Sequence, residues 1–452
     1  MTVRQIILFL TLLLTFGAVA SPPGRAQVPE YTLDELYRMG LKTAERIKIA
    51  EQDVAVAQAQ QDKGFSFLLP GLTTYGDARG YSRSVTSATG STTQPDNTQT
   101  FNLRLFQSFS LGGRELTAYK MLKENVTKTK FDLTTVREEY LQRIAAFYYE
   151  ALRAIRSIEI AEANVARLKT QRDAAASRLR VGEVTKTALL RAEAQLSGAD
   201  SDVVKAKNRL DLARADLARI VGITGNYKLA ETTEPGMKSM EHGVQGEIID
   251  GCSPANLSCL QDKAIAERSE LKALDQVQKI AENNVKFAKG AYWPIFSVEG
   301  VYTRQEQNPA TGNLVRDSAY GGVRLSMLLF EGGYRNADVA EAKAKQTQAN
   351  LAYEDTKKTV NVEVENAYLV LKTQVGVLKS LEDQVTFARD NYQAVSKQFE
   401  FGLVNIIDVI DATTALVTAE RDLLDAQFLY QLSVLRLRRV TGTLLKTVVN
   451  TH

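Results

Sequence analysis

Histidine and cysteine are nearly absent from this 452-residue chain, with two of each. His242 and His452 are too few for a histidine metal cluster, and a Ser-His-Asp triad has almost nothing to draw on. Proline is scarce as well, nine in all, so long stretches run free of helix breaks. No charge sign dominates: 56 Lys plus Arg stand against 53 Asp plus Glu. The strongly basic footprint of a nucleic-acid binder is therefore missing. Hydrophobic residues make up 44% of the chain without repeated runs of about 20 apolar residues, which excludes a bundle of membrane-spanning helices. No P-loop pattern occurs. No catalytic residue, cofactor or metal ligand is assigned, and a secreted enzyme finds no constellation to rest on.

What is present begins at the N-terminus. Arg4 precedes an apolar run from Ile6 to Phe16, followed by Ala18 and Ala20. A positive start, a short apolar core and an A-x-A-like site mark a secretory signal peptide within residues 1–26, cut after 20 or 26. The run is too short to span a bilayer as a helix. No cysteine precedes Cys252, so none is available near the cleavage site for lipid attachment. Cys252 and Cys259 sit close together in a Gly- and Pro-containing stretch. In an oxidising compartment a local disulfide is the favoured reading, with free thiols as the alternative. Two cysteines alone make a poor zinc site.

Length suggests two or three domains, but self-comparison gives a simpler organisation. Gly112-Gly113 recurs as Gly332-Gly333, Tyr148 as Tyr368, Val181-Gly182 as Phe401-Gly402, and Val221-Gly222 as Thr441-Gly442. Every pair is separated by 220 residues. The chain therefore reads as an internal duplication: repeat one over 27–222, a linker over 223–259, repeat two over 260–442 and a tail over 443–452. Each repeat reads helix, two strands and a long helical hairpin.

The hairpins are the clearest local signal. Leu189, Ala192, Leu196, Ala199, Val203, Ala206, Leu210, Ala213, Leu217 and Ile220 alternate spacings of three and four. Val409, Ala412, Leu416, Ala419, Leu423, Ala426, Tyr430, Ser433, Leu437 and Val440 repeat the pattern. These are heptad seams alternating large and small residues, which predicts closely paired antiparallel helices. The segments Gly113–Gly182 and Gly333–Gly402 hold no proline, and a helix of that length reaches roughly 100 Å. Gly182 and Gly402 mark the tips.

Short alternating segments supply the strands. Phe101, Leu103, Leu105, Phe109 and Leu111 alternate with polar residues, interrupted at Phe106 and Gln107. Val323, Leu325, Met327 and Leu329 form a second segment. Phe65, Phe67 and Leu69, and Tyr292, Phe296, Val298 and Tyr302, read as weaker partners. Phe65, Tyr75, Tyr292, Trp293, Tyr302 and Tyr320 suit interfacial girdles, with loops from Gly76 to Thr100 and around Asn308-Pro309. One apolar and one polar face fit a lipid-facing barrel wall with a wet lumen. Four strands cannot close a membrane barrel, and an open edge in lipid is costly. Either several chains contribute to one barrel, or the strands are soluble hairpins of a periplasmic coiled-coil scaffold.

The segments RLRVGEVTKTALLRAEAQL and FGLVNIIDVIDATTAL at the tips, with the junctions SFSLGGR and LLFEGGYR, resemble the TolC-type outer-membrane efflux family across nearly the whole mature chain. The resemblance implies a mainly α fold with a β-barrel portion. Three chains would build one twelve-stranded outer-membrane barrel continued by a periplasmic coiled-coil α-barrel, with the linker around its middle. It implies an exit duct in the outer membrane of a Gram-negative bacterium, touching outer-membrane lipid. Its partners would be a periplasmic adaptor and an inner-membrane pump, proton-driven or ATP-driven. The adaptor-contacting motif maps onto Arg178, Leu179, Val181, Gly182 and Glu183, and onto Phe401, Gly402 and Leu403. The pore gate with cation selectivity maps onto Asp408 and Asp411. Family members with the best-described closed state carry Tyr and Arg where this chain has Phe399 and Val404, so the closing network must differ.

Overall fold

The computed structural model describes residues 29–230, 252 and 256–450, apart from 89, 91, 312 and 313. The signal peptide, most of the inter-repeat linker and the last two residues lie outside the described residues.

Helices dominate because almost nothing interrupts them. Helix α1 spans Leu33–Thr43 and α2 spans Glu45–Ser66. The first starts at a capping box in which Thr32 and Glu35 exchange hydrogen bonds. A four-stranded sheet interrupts the helices twice. Its strands are β1, Gly71–Gly80, β2, Asn97–Ser110, β3, Ile295–Asn308, and β4, Asp317–Ser326. After β2 comes α3, Arg114–Arg180, then α4, Lys186–Val221. Helices α5, Leu257–Glu267, and α6, Ser269–Lys289, precede β3. After β4 come α7, Tyr334–Glu400, α8, Ile406–Val440, and α9, Leu444–Asn450. Helices α3 and α7 are each 67 residues long, roughly 100 Å at 1.5 Å per residue.

These helices form a wall of four columns. Helix α3 packs against α2 near the sheet and α4 towards its far end; its other flank meets α6 and then α8. Helices α6 and α8 also pack on α7. The column order is α2/α4, α3, α6/α8, α7. Small residues at seven-residue spacing set the closeness: Ala192, Ala199, Ala206 and Ala213 on α4 are buried, facing a column whose Ala161, Leu168 and Ala175 are also buried. In the second hairpin Ala412, Ala419, Ala426 and Ser433 meet the column of Val364, Leu371, Leu378 and Val385. The two hairpins then diverge. Helix α8 buries a second seam, Ile410, Thr413, Val417, Leu424, Phe428, Gln431 and Leu435, because it stands between two long helices. Helix α4 stands at the edge, and Leu190 and Val204, 220 positions before Ile410 and Leu424, are exposed.

The sheet is antiparallel in the order β1-β2-β3-β4, and the outer edges of β1 and β4 have no strand partner among the described residues. Its register sorts the side chains. Leu72, Leu103, Leu105 and Tyr302 share one face with Val298, Val323, Phe296 and Leu325. Asn102, Arg104, Glu299 and Thr303 share the other, where Arg104 pairs with Glu299 at 2.6 Å. Several readings from the sequence need correction here. Phe65 ends α2, where its ring packs on Tyr119, and the strand begins only after Pro70 at Gly71. Leu111, Met327 and Leu329 lie just beyond their strands, and Tyr292 lies in a 3-10 turn. The strands reach further outward, to Gly80 and from Asn97, so the first loop is shorter than the Gly76–Thr100 expected. Phe106 and Gln107 continue the ladder unbroken opposite Glu299 and Val298. Tyr75 and Tyr320 lie opposite Asn102 and Val301, on the polar face rather than in an apolar-face girdle.

The largest core lies at the wall's waist. Leu36, Ile47, Leu141, Ile144, Tyr148 and Leu217 are fully buried there, each contributing about 1.5–3 kcal/mol by leaving water. Tyr148 also donates from Oη to the carbonyl of Ala230 at 2.7 Å. A second core gathers Leu260, Leu271, Val364 and Leu437 with Cys252, which forms a disulfide with Cys259. No helix among the described residues is long and apolar enough to cross a membrane.

Between the two cores lies a charged cluster. Arg268 pairs with Glu363 and, at 3.0 Å, with Glu270; Arg439 reaches Glu139 at 3.5 Å and Glu270 at 3.8 Å. Glu138 is buried beside them. Burial first, then Glu270, pushes its carboxyl up to about 7, while Arg439, Arg268 and Lys272 oppose the rise. A carboxyl raised in the folded state burdens the fold when ionised. The burden is complete above about pH 7 and disappears as pH falls towards 4.5, the ordinary value. Glu138→Gln is expected to raise the unfolding midpoint at pH 8 by about 2–4 °C. At pH 4 the difference should vanish, as followed by circular dichroism melts at both pH values.

Candidate functional site at the hairpin tips

The far ends of the two hairpins bring most of the singled-out residues together. At the first tip α3 stops because Gly182 takes φ +78°, a left-handed conformation that side chains resist. Its N–H donates to the carbonyl of Leu179, and that of Glu183 to the carbonyl of Arg178, closing the helix end. Gly402, at φ +71°, does the same at the second tip, with Gly402 and Leu403 donating to Phe399 and Gln398. A Cβ at either glycine would meet no neighbour within 4 Å, so only backbone conformation demands glycine.

The return helices are capped differently. Thr185 Oγ1 accepts from the Ala188 N–H at 3.3 Å. Asn405 Oδ1 accepts from the N–H groups of Ile407 and Asp408, while Asp408 Oδ2 accepts from the Asn405 N–H at 3.0 Å. Asp408 thus closes a capping box and complements the helix dipole. Asp411, one turn on, is exposed. Asp408 therefore already has a structural role, which its spacing from Asp411 does not reveal.

A small core ties the four helix ends: Ala175, Ala192, Phe399, Ile406, Val409 and Ile410 are buried together. Arg178 lies over it from the first tip. Its guanidinium carbon stands 4.2 Å from the centre of the Phe399 ring, and Nη2 donates to the Glu400 carbonyl at 2.9 Å. Glu183 approaches Arg178 Nε at 3.9 Å. Higher up, polar rungs connect α3 to α8. Gln171 Nε2 donates to Thr413 Oγ1 at 2.7 Å, Arg167 pairs with Glu420 at 3.1 Å, and Arg153 with Asp425 at 3.1 Å.

Between the tips opens a cleft of about 1130 Å³. Arg178, Glu183, Phe401, Gly402, Leu403 and Asp408 line it; Leu179, Val181, Gly182 and Asp411 do not. Val181, Phe401 and Leu403 are exposed apolar side chains at the extreme end. Arg191 and Asn405 also line the cleft and escaped the sequence reading. Asn405 three residues before Asp408 was a legible capping signal; Arg191 carried none, because its place depends on the other hairpin.

The model of the outer membrane efflux protein family matches residues 36–223 and 260–443. Outer membrane protein TolC of Vibrio cholerae is 26% identical over 306 residues, 67% of this chain and 67% of that protein. The alkaline protease secretion protein AprF of Pseudomonas aeruginosa is 24% identical over 310 residues, 68% of this chain. The chain spans 62% of AprF's own length, less than two thirds. A crystal structure of CusC superposes with a TM-score of 0.80 at 17% identity, covering 92% of this chain and 93% of that one, and so shares the fold. With the family model matched across both halves, on either side of the linker, this chain belongs to the outer membrane efflux protein family.

Proposed function

We propose that the protein is a passive exit duct of the outer membrane, built from three copies, that conducts substrates delivered by a periplasmic adaptor and an inner-membrane pump. One observation carries the reading: the four-column wall and its sheet both stop unfinished at their two edges. Leu190, Val204 and Leu212 are exposed on α4 at one edge, Leu351, Val362, Leu369 and Phe387 on α7 at the other. Within the chain, the flank of α8 equivalent to the bare flank of α4 is covered by α3. The missing cover for α4 is then α7 of a neighbouring copy, a heterologous contact that must close into a ring. The sheet needs the same neighbour, since β1 and β4 each lack a partner. Four strands per copy in three copies give twelve, within the range of membrane barrels.

In this ring the apolar sheet face meets lipid and the face of Arg104, Glu299, Asn102 and Thr303 lines the lumen. Phe101 to Phe109 covers nine residues, the length of a membrane-crossing strand. Residues 1–26 serve as the export signal, and the repeats over 27–222 and 260–442 build alternate parts of the wall. The tip residues Arg178, Leu179, Val181, Gly182, Glu183, Phe401, Gly402 and Leu403 meet the adaptor, with the exposed Val181, Phe401 and Leu403 as apolar contacts. Asp408 and Asp411 ring the narrow end and favour cations. The relatives' names include both cation efflux and alkaline protease secretion.

Heat-modifiable trimers in outer-membrane fractions, with conductance in planar bilayers, are the expected result. Fractionation without detergent and no conductance would support a soluble periplasmic scaffold instead. Two variants test the tips. Asp408→Asn with Asp411→Asn is expected to reduce the cation-to-anion permeability ratio about twofold or more. An unchanged ratio would remove these carboxylates from the selectivity step. Gly182→Val or Gly402→Val should abolish export in a complementation assay while trimers still form, since only the local turn is strained. Loss of trimers would assign the glycines to folding alone.

A further inference from the structure

Among the described residues, every charged side chain of the sheet but one has a partner. Arg79 pairs with Asp77 at 2.8 Å, Arg104 with Glu299 at 2.6 Å and Arg304 with Glu306 at 2.9 Å, while Asp317 accepts from Tyr302 Oη at 2.6 Å. Arg324 is exposed, and its side chain has neither an ion pair nor a hydrogen bond among the described residues. The strand register gives its direction. Arg324 lies opposite Ser297, and Ser297 opposite Ser108. Alternation then puts it on the polar face of the sheet with Arg104 and Glu299. At its own level serine stands on both inner strands, and two residues before it on the same face Gly322 adds no side chain. The carboxylate diagonal to it, Glu299, is already taken by Arg104. Nothing at this level covers the guanidinium or neutralises it.

We propose that Arg324 is a specificity-determining residue of the duct: three copies of it form a cationic ring in the barrel lumen that attracts anionic groups, phosphate or carboxylate, on passing cargo. The proposal rests on the exit-duct reading, in which the polar face of the sheet lines the lumen. Arg324 lies two residues before the end of β4 at Ser326, so the ring sits at the end of the barrel that adjoins the helices. In the closed ring β4 stands beside β1 of the next copy, whose lumenal charges, Asp77 and Arg79, already satisfy one another. Over the whole lumenal face Arg79, Arg104 and Arg324 stand against Asp77 and Glu299, so each copy contributes one net positive charge. A guanidinium is not deprotonated in proteins, and a ring of them favours anions. Its sign is opposite to that of Asp408 and Asp411 at the other end of the duct, so cargo meets a negative ring first and a positive one later.

The test is single-channel recording from purified trimers of the full chain, with inorganic triphosphate added to the chamber into which the barrel opens. At about 0.01 M salt, where fixed charge reaches about 30 Å, triphosphate should reduce the wild-type current; at about 1 M, where it reaches about 3 Å, the block should be lost. R324Q should raise the half-blocking concentration about tenfold or more, R324K should keep it within about twofold, and E299Q, which removes an opposing carboxylate, should lower it. Trimer bands before heating report assembly. An unchanged half-blocking concentration in R324Q, a tenfold rise in R324K, or a block that persists at high salt would overturn the proposal. So would the absence of block in conducting wild-type trimers. If R324Q fails to trimerise, E299Q decides, and an unchanged or raised value there is equally fatal. Absence of current from wild-type trimers would defeat the exit-duct reading itself, a separate outcome.

Discussion

Close approach of helices along the small-residue seams is the contact on which the wall depends. Alanine at every seventh position lets neighbouring columns approach closely enough for the larger seam residues to interlock, over about five heptads in each hairpin. The gain per residue is small, and length makes it decisive. The same seams support α3 and α7 as unbroken helices of 67 residues, since each turn leans on a neighbour. Sheet, waist and tips are held at fixed heights on this scaffold.

The two repeats share a plan and differ where their neighbours differ. Helix α8 carries two buried seams because it stands inside the wall, while α4, at its edge, keeps one. The tips differ as well. The second has a reciprocal cap through Asn405 and Asp408; the first has Thr185 alone. Arg178 belongs to the first tip and Phe399 to the second, so the contact between them has no duplicate. A duplicated chain has thus acquired a unique junction at the point where its hairpins meet.

Much of this was legible in the sequence. The heptads of Leu189–Ile220 and Val409–Val440, the tip glycines and the alternation around Phe101–Phe109 each follow from a local period or a backbone demand. Less legible were features whose cause lies elsewhere in the chain. Phe65 reads as part of a strand, but its ring serves a helix contact with Tyr119. Tyr75 and Tyr320 read as girdle aromatics until the register assigns them to the polar face. The break between α1 and α2 at Ala44 has neither proline nor glycine to announce it. Arg178 was singled out by its motif, but its stacking on a ring 221 positions later needed the folded tips. Asp408 was read for its charge, although Asn405 three residues before it is a capping signal the sequence carries, and the two do exchange hydrogen bonds.

The unpaired edges of β1 and β4 bear on counting. If the sheet enters lipid as proposed, a lone copy, or two, would carry into hydrocarbon a row of peptide groups with no partner, each at a cost of several kcal/mol. That cost does not fall as copies are added; it vanishes in one step when the last edge meets the first. In the proposed duct, membrane entry by this sheet is therefore all-or-none in subunit number.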